Sequence, residues 1–194
     1  MTVSPVPGVT LETTKANNIH MRYAEVGPKR AGAPLVLFCH GWPESWYSWR
    51  HQLLAVSAAG FRCVAPDMRG YGGTEAPEPI DQYTLLHLVG DMAELVKALG
   101  ETKAVIVGHD WGAPVAWHAA LWRPDLFPAV CAMSVPYAPP GYIDVLSALE
   151  KLGINDFYLQ YFQKPSVAEA ELQGDIRGAL RRLYYTAGGD MTET

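Results

Sequence analysis

A mostly parallel sheet covered by helices on both faces is the fold class this sequence predicts, and three observations carry the prediction. Short, continuous apolar runs alternate with longer stretches whose apolar residues recur at helical spacing. The apolar runs are short enough for strands buried on both faces, as parallel strands are. The most unusual stretches, residues 40–47, 67–73 and 108–112, each follow a predicted strand, and open α/β sheets gather their sites at those carboxyl ends.

The elements follow in order. Residues 9–15 and 20–26 read as a hairpin turned at Asn17-Asn18, forming one antiparallel edge. Residues 34–39, P-L-V-L-F-C, suit a strand buried on both faces. Residues 45–58 can form an amphipathic helix that Gly60 ends, and 61–66 give the next strand. Residues 67–78 mix glycine and proline with charges and read as loop. Leu85, Leu88, Val89, Met92, Leu95, Val96 and Leu99 place a helix over 83–99, with Gly100 as its stop. A strand over 104–107, a helix over 111–122 and a strand over 129–135 complete the alternation. From Tyr137 the character changes to prolines, glycine and helical segments, so residues 1–136 are expected to form the core and 137–194 a helical lid segment.

Composition narrows the function. The 194 residues suffice for one ordinary domain. With 49% apolar and 18% charged residues, the chain reads as a soluble globular protein. A net charge of −5 offers no basic footprint for nucleic acid or for an anionic membrane. No apolar run approaches the roughly 18 residues of a spanning helix, and residues 1–8 lack the pattern of a signal peptide. The three cysteines, Cys39, Cys63 and Cys131, lack metal-ligand spacing and read as reduced core residues of a cytoplasmic protein.

The chemistry is expected at Gly108-His109-Asp110-Trp111-Gly112, where a strand gives way to a helix. In the serine version of this turn, a sharp bend exposes the nucleophile, and flanking glycines avoid collision with neighbouring backbone. An aspartate there is already ionised at neutral pH and needs no base to attack an sp3 carbon. Hydrolysis of the resulting ester would develop an oxyanion on Asp110 itself, so backbone donors are needed. Trp111 offers its N–H at the start of a helix, and the His40-Gly41-Trp42-Pro43 loop would aim the N–H of Trp42 into the same pocket. The plainer reading of Asp110 is a helix N-cap, which leaves the paired glycines and the His-Gly-x-Pro loop without a reason. His40 and His109 read as loop-shaping residues rather than bases, and the other four histidines as structural. Trp42, Pro43 and Trp111 are the expected substrate-pocket residues; Trp46 and Trp49 read as packing. Asp67 and Arg69 mimic a catalytic pair but read as loop-holding groups.

Four stretches resemble the α/β-hydrolase superfamily and, within it, the epoxide hydrolases: H-G-W-P-E-S-W-Y-S-W-R-H-Q (40–52), D-M-R-G-Y-G-G-T (67–74), G-H-D-W-G-A-P-V-A-W (108–117) and F-Y-L-Q-Y-F-Q-K-P-S-V-A-E-A-E-L (157–172). The first and third are shared with haloalkane dehalogenases, and the fourth is the most discriminating. The resemblance implies an α/β-hydrolase fold with a helical lid, an Asp110 nucleophile, and Tyr158 as a lid tyrosine that protonates the epoxide oxygen. It implies a small-molecule epoxide and water as reactants, with no cofactor and no metal. It also implies a histidine, a second acid and a second lid tyrosine in later segments, whereas no histidine follows His118. The chain is therefore expected to lack C-terminal strands and, by itself, to be incomplete for turnover, with the missing half possible as a separate chain. The other readings are a haloalkane dehalogenase and a non-catalytic binding module on the same fold.

Overall fold

A computed structural model describes residues 4–30, 32–139, 145–154 and 157–188. Residues 1–3 of the N-terminal segment, and 140–144, 155–156 and 189–194 of the expected lid segment, lie outside the described residues. The chain divides into two compact units, Met1–Tyr137 and Ala138–Thr194.

The first unit is a six-stranded sheet in the order β1-β2-β4-β3-β5-β6. The strands are β1 (Thr10–Ala16), β2 (Ile19–Val26), β3 (Leu35–Cys39), β4 (Arg62–Pro66), β5 (Ala104–His109) and β6 (Ala129–Met133). β1, β2 and β4 pair antiparallel, and β4, β3, β5 and β6 pair parallel. The hairpin turns at Asn17 and Asn18, both left-handed with φ of 46° and 66°, as a tight hairpin turn requires. Three helices cover the sheet: α1 (Arg50–Ala58), α2 (Leu85–Ala98) and α3 (Gly112–Trp122).

Alternation along β3 explains its unbroken apolar run. Leu35, Leu37 and Cys39 enter one core with Met92, Leu95 and Val96 of α2 and Val115, Ala116 and Ala119 of α3. Val36 and Phe38 enter the other with Trp46, Trp49 and Leu53. A strand buried on both faces has no polar side to show. Trp46 and Trp49 are thus packing residues, buried on the α1 face.

Three expectations are corrected. The helix expected over 45–58 is split: Trp46–Trp49 is a 3-10 turn capped by the Ser45 hydroxyl, and the α-helix begins at Arg50. Helix α2 begins at Leu85, after a separate 3-10 turn at Ile80–Tyr83. Cys39 and Cys63 are buried, and burial pushes both thiols up to about 12. Cys131 is exposed rather than in the core, because β6 is paired on one side only and its residues are exposed or half-buried.

The second unit holds α4 (Val145–Lys151), α5 (Tyr158–Tyr161), α6 (Val167–Gly174) and α7 (Ile176–Ala187). Asp175 caps α7 by accepting the Gly178 N–H at 2.9 Å. Among the described residues of this unit, Ala168 of α6 and Ala179 of α7 are buried. Among the described residues, no helix is long and apolar enough to cross a membrane.

Candidate active site

Asp110 sits between the end of β5 and the start of α3, half-buried, with φ of +51°. Left-handed backbone is costly for a residue with a Cβ, so its surroundings must hold it. The glycines explain how the chain gets close enough. A Cβ on Gly108 would lie 2.1 Å from the Gly112 carbonyl oxygen, and one on Gly112 would lie 2.1 Å from the Cys39 carbonyl oxygen. One on Gly41 would lie 2.3 Å from Asp110 Oδ1. Strand, bend and neighbouring loop are in contact at backbone distance, and each contact needs a missing side chain.

The Trp42 amide N–H donates to Asp110 Oδ1 at 2.8 Å. That loop is itself tied down. His40 donates from Nδ1 to the Gly41 carbonyl at 2.8 Å and accepts the Met68 N–H on Nε2 at 2.9 Å. Accepting a backbone N–H fixes its Nε2 as unprotonated. Burial pushes the His40 pKa down, which keeps the ring neutral. The Glu44 carboxylate accepts the Gly41 N–H at 3.1 Å and lies 3.4 Å from His109 Nδ1. His40 thus ties the 40–43 loop to Met68.

The 67–74 loop is a polar scaffold behind this arrangement. Asp67 is fully buried, accepting Arg22 Nε at 2.7 Å, the Trp46 N–H at 3.1 Å and the Gly73 N–H at 3.0 Å. Arg69 forks onto Asp91, with 2.8 Å and 2.5 Å contacts. Asp67 and Arg69 therefore bind other partners.

Trp111 occupies the N-cap position of α3, where backbone N–H groups have no intrahelical acceptor, and it is 47% exposed. Its side chain borders a cavity of about 220 Å³ lined also by Tyr71, Tyr83, Leu85, Leu88 and Val115. Trp42 and Pro43 lie half-buried on the loop beside Asp110. A cavity of about 230 Å³ lies against Glu44, Trp49 and His109. No cluster of metal-ligating side chains occurs among the described residues.

Tyr158 opens the four-residue helix α5 in the second unit. Its ring lies 4.8 Å from that of Phe157 and 5.6 Å, edge-on, from that of Phe162. Tyr161 donates its hydroxyl to Glu171 of α6, and that bond holds the Tyr161 phenol above its ordinary pKa.

Ser134 escaped sequence reading. It follows β6, and its hydroxyl accepts the Asp110 N–H at 3.1 Å. The 24-residue separation and a polar residue beside a proline-rich stretch give no local signal; only the β5–β6 register, which pairs His109 with Met133, brings it there.

Comparison with known proteins follows the same lines. Residues 34–168 match the family model described as alpha/beta hydrolase fold. Epoxide hydrolase A of Mycobacterium tuberculosis is 45% identical over 168 residues, covering 86% of this chain and 52% of the relative. Epoxide hydrolase 2 of Siraitia grosvenorii is 47% identical over 176 residues, covering 88% and 54%. Among solved structures, an epoxide hydrolase from an endophytic Streptomyces superposes with a TM-score of 0.88 at 45% identity, covering 96% of this chain and 56% of that one. Epoxide hydrolase A from Mycobacterium thermoresistibile gives 0.86 at 42%, covering 94% and 57%. The chain spans about half the length of the curated relatives it matches.

Proposed function

This chain belongs to the α/β-hydrolase fold family, and we propose that it carries the residues by which an epoxide hydrolase opens its substrate. The observation that supports this most is the 2.8 Å hydrogen bond from the Trp42 N–H to Asp110 Oδ1. It engages one carboxylate oxygen and leaves the other, Oδ2, to attack an epoxide carbon. The carbon–oxygen bond of the ring breaks, the ring oxygen takes a proton from the Tyr158 hydroxyl, and a hydroxyalkyl ester forms on Asp110. Oδ1 becomes the ester carbonyl oxygen. When water adds to that carbonyl carbon, charge develops on Oδ1, where the Trp42 donor already stands, with the Trp111 N–H at the helix end as the second donor. Collapse of this intermediate expels the alkoxide, which takes up the proton the base drew from water and leaves as a vicinal diol; the second water proton returns through solvent to the Tyr158 phenolate, and the carboxylate is restored.

The water step needs a base. His40 commits both ring nitrogens, to the Gly41 carbonyl and the Met68 N–H, and the chain spans about half the length of its curated relatives. We assign the base and its carboxylate to chain outside these 194 residues, on the same polypeptide or as a separate one. The second unit acts as the helical lid that presents Tyr158. Trp42, Pro43 and Trp111 wall the substrate pocket, and the apolar, aromatic lining beside Trp111 suits aryl or alkyl epoxides. The two buried thiols suit a reducing compartment, the cytoplasm.

A haloalkane dehalogenase would use the same aspartate but expel halide. Intact-mass measurement separates the two. Incubation with styrene oxide is expected to add the whole mass of one epoxide, and 1-bromobutane to add nothing. Butylation with bromide release, and no epoxide adduct, would overturn the assignment.

A further inference from the structure

We infer that Ser134 is a positioning residue for the nucleophile: from the end of β6, its hydroxyl holds the Asp110 amide and so fixes the left-handed bend that aims the carboxylate. This rests on Asp110 being the attacking group. The Asp110 N–H donates to Ser134 Oγ at 3.1 Å, and the same hydroxyl donates to the Met133 carbonyl at 2.7 Å. The second bond orients the first: with its proton on Met133, the hydroxyl turns a lone pair to Asp110. Ser134 is itself left-handed, with φ of +65°, beside an Asp110 at +51°. Two non-glycine residues in this region, joined by one hydrogen bond, mean that each bend is held against its own preference.

The arrangement completes a clamp. The Trp42 N–H grips Asp110 from the side of β3 through its carboxylate, and Ser134 grips it from the side of β6 through its backbone. In a sheet ordered β3-β5-β6, these are the two neighbours of the strand that ends at the nucleophile. The carboxylate is attached to a backbone whose rotation the β6 contact stops. In-line attack on carbon is sensitive to displacements of an ångström, so this contact acts on rate rather than on binding.

Ser134→Gly separates the hydroxyl from the bend, because glycine takes a φ of +65° without strain. The 194-residue chain is treated with increasing styrene oxide, and the rate of adduct formation on Asp110 is fitted to a limiting rate and a half-saturation concentration. The variant is expected to show a limiting rate lower by about tenfold or more at an unchanged half-saturation concentration. Amide exchange by NMR is the second readout: the Asp110 amide is protected in the wild type and fast-exchanging in Ser134→Gly, while the β5 amides are unchanged. A variant that alkylates as fast as the wild type would overturn the inference. If the wild type forms no adduct, the proposed reaction fails on its own, and the amide decides for Ser134: protection lost with the hydroxyl supports the contact, and no protection in the wild type removes it.

Discussion

Asp110 and Tyr158, the two side chains assigned to ring opening, stand on different kinds of element: a strand-to-helix bend and a single helical turn. Asp110 is gripped by residues distant in sequence: the Trp42 amide after β3, the Ser134 hydroxyl after β6, and backbone pressed close at Gly41 and Gly112. Tyr158 stands on a single turn of helix, with its ring against those of Phe157 and Phe162. On that turn the Tyr161 hydroxyl reaches Glu171 of α6. The difference matches the two jobs. An attacking oxygen must lie in line with the bond that breaks, so its place is fixed by the fold. A phenol hydroxyl rotates about its own bond and delivers a proton from a wider range of positions.

Substitutions break this contrast in a predictable order. Asp110→Asn removes the nucleophile and lowers adduct formation by about 10⁴-fold or more, read by intact mass. Asp67→Ala leaves the Arg22 guanidinium and the Trp46 and Gly73 amides without their buried acceptor. It costs about 3 kcal/mol and lowers Tm by roughly 6–12 °C in a calorimetric scan. Gly41→Ala drives a methyl into the Asp110 carboxylate and slows alkylation by about 10²-fold, with Tm changed far less than in Asp67→Ala. Tyr158→Phe slows ring opening by about 10²-fold at neutral pH. Because the loss is of proton donation, the deficit narrows for an alkylating agent whose leaving group needs no proton.

The smallest effect is on pH dependence. Burial holds the His40 pKa below the ordinary 6.5, so the unfolded chain binds this proton before the folded one does. Stability from His40 is complete above about pH 6.5 and is lost as the pH falls through the lowered value. Chemical denaturation between pH 7 and 5 should show this slope, and His40→Gln should flatten it.

The sequence was most informative where backbone sterics wrote it. Glycines at 41, 108 and 112 stand for close approaches that no other residue permits, and a string of residues records them. The unbroken apolar run of β3 and the helical spacing of α2 likewise state which faces are buried. Ser134 and the Arg22–Asp67 pair are contacts across the sheet, set by register and strand order, and nothing local marks them. Cys131 misled because an apolar strand reads the same whether one or both of its edges are paired. The split of 45–58 into two helix types follows from Ser45 capping Tyr47 and Asp67 pulling on the Trp46 amide, a loop contact that periodicity does not see.

The most direct test of the account is to locate the adduct. The chain is treated with styrene oxide, digested, and sequenced by tandem mass spectrometry. The account predicts a single hydroxyphenethyl ester on Asp110, in the peptide spanning residues 108–117, and none on the exposed Cys131 thiol. Modification at Cys131 or at surface histidines, with Asp110 unmodified, would contradict it.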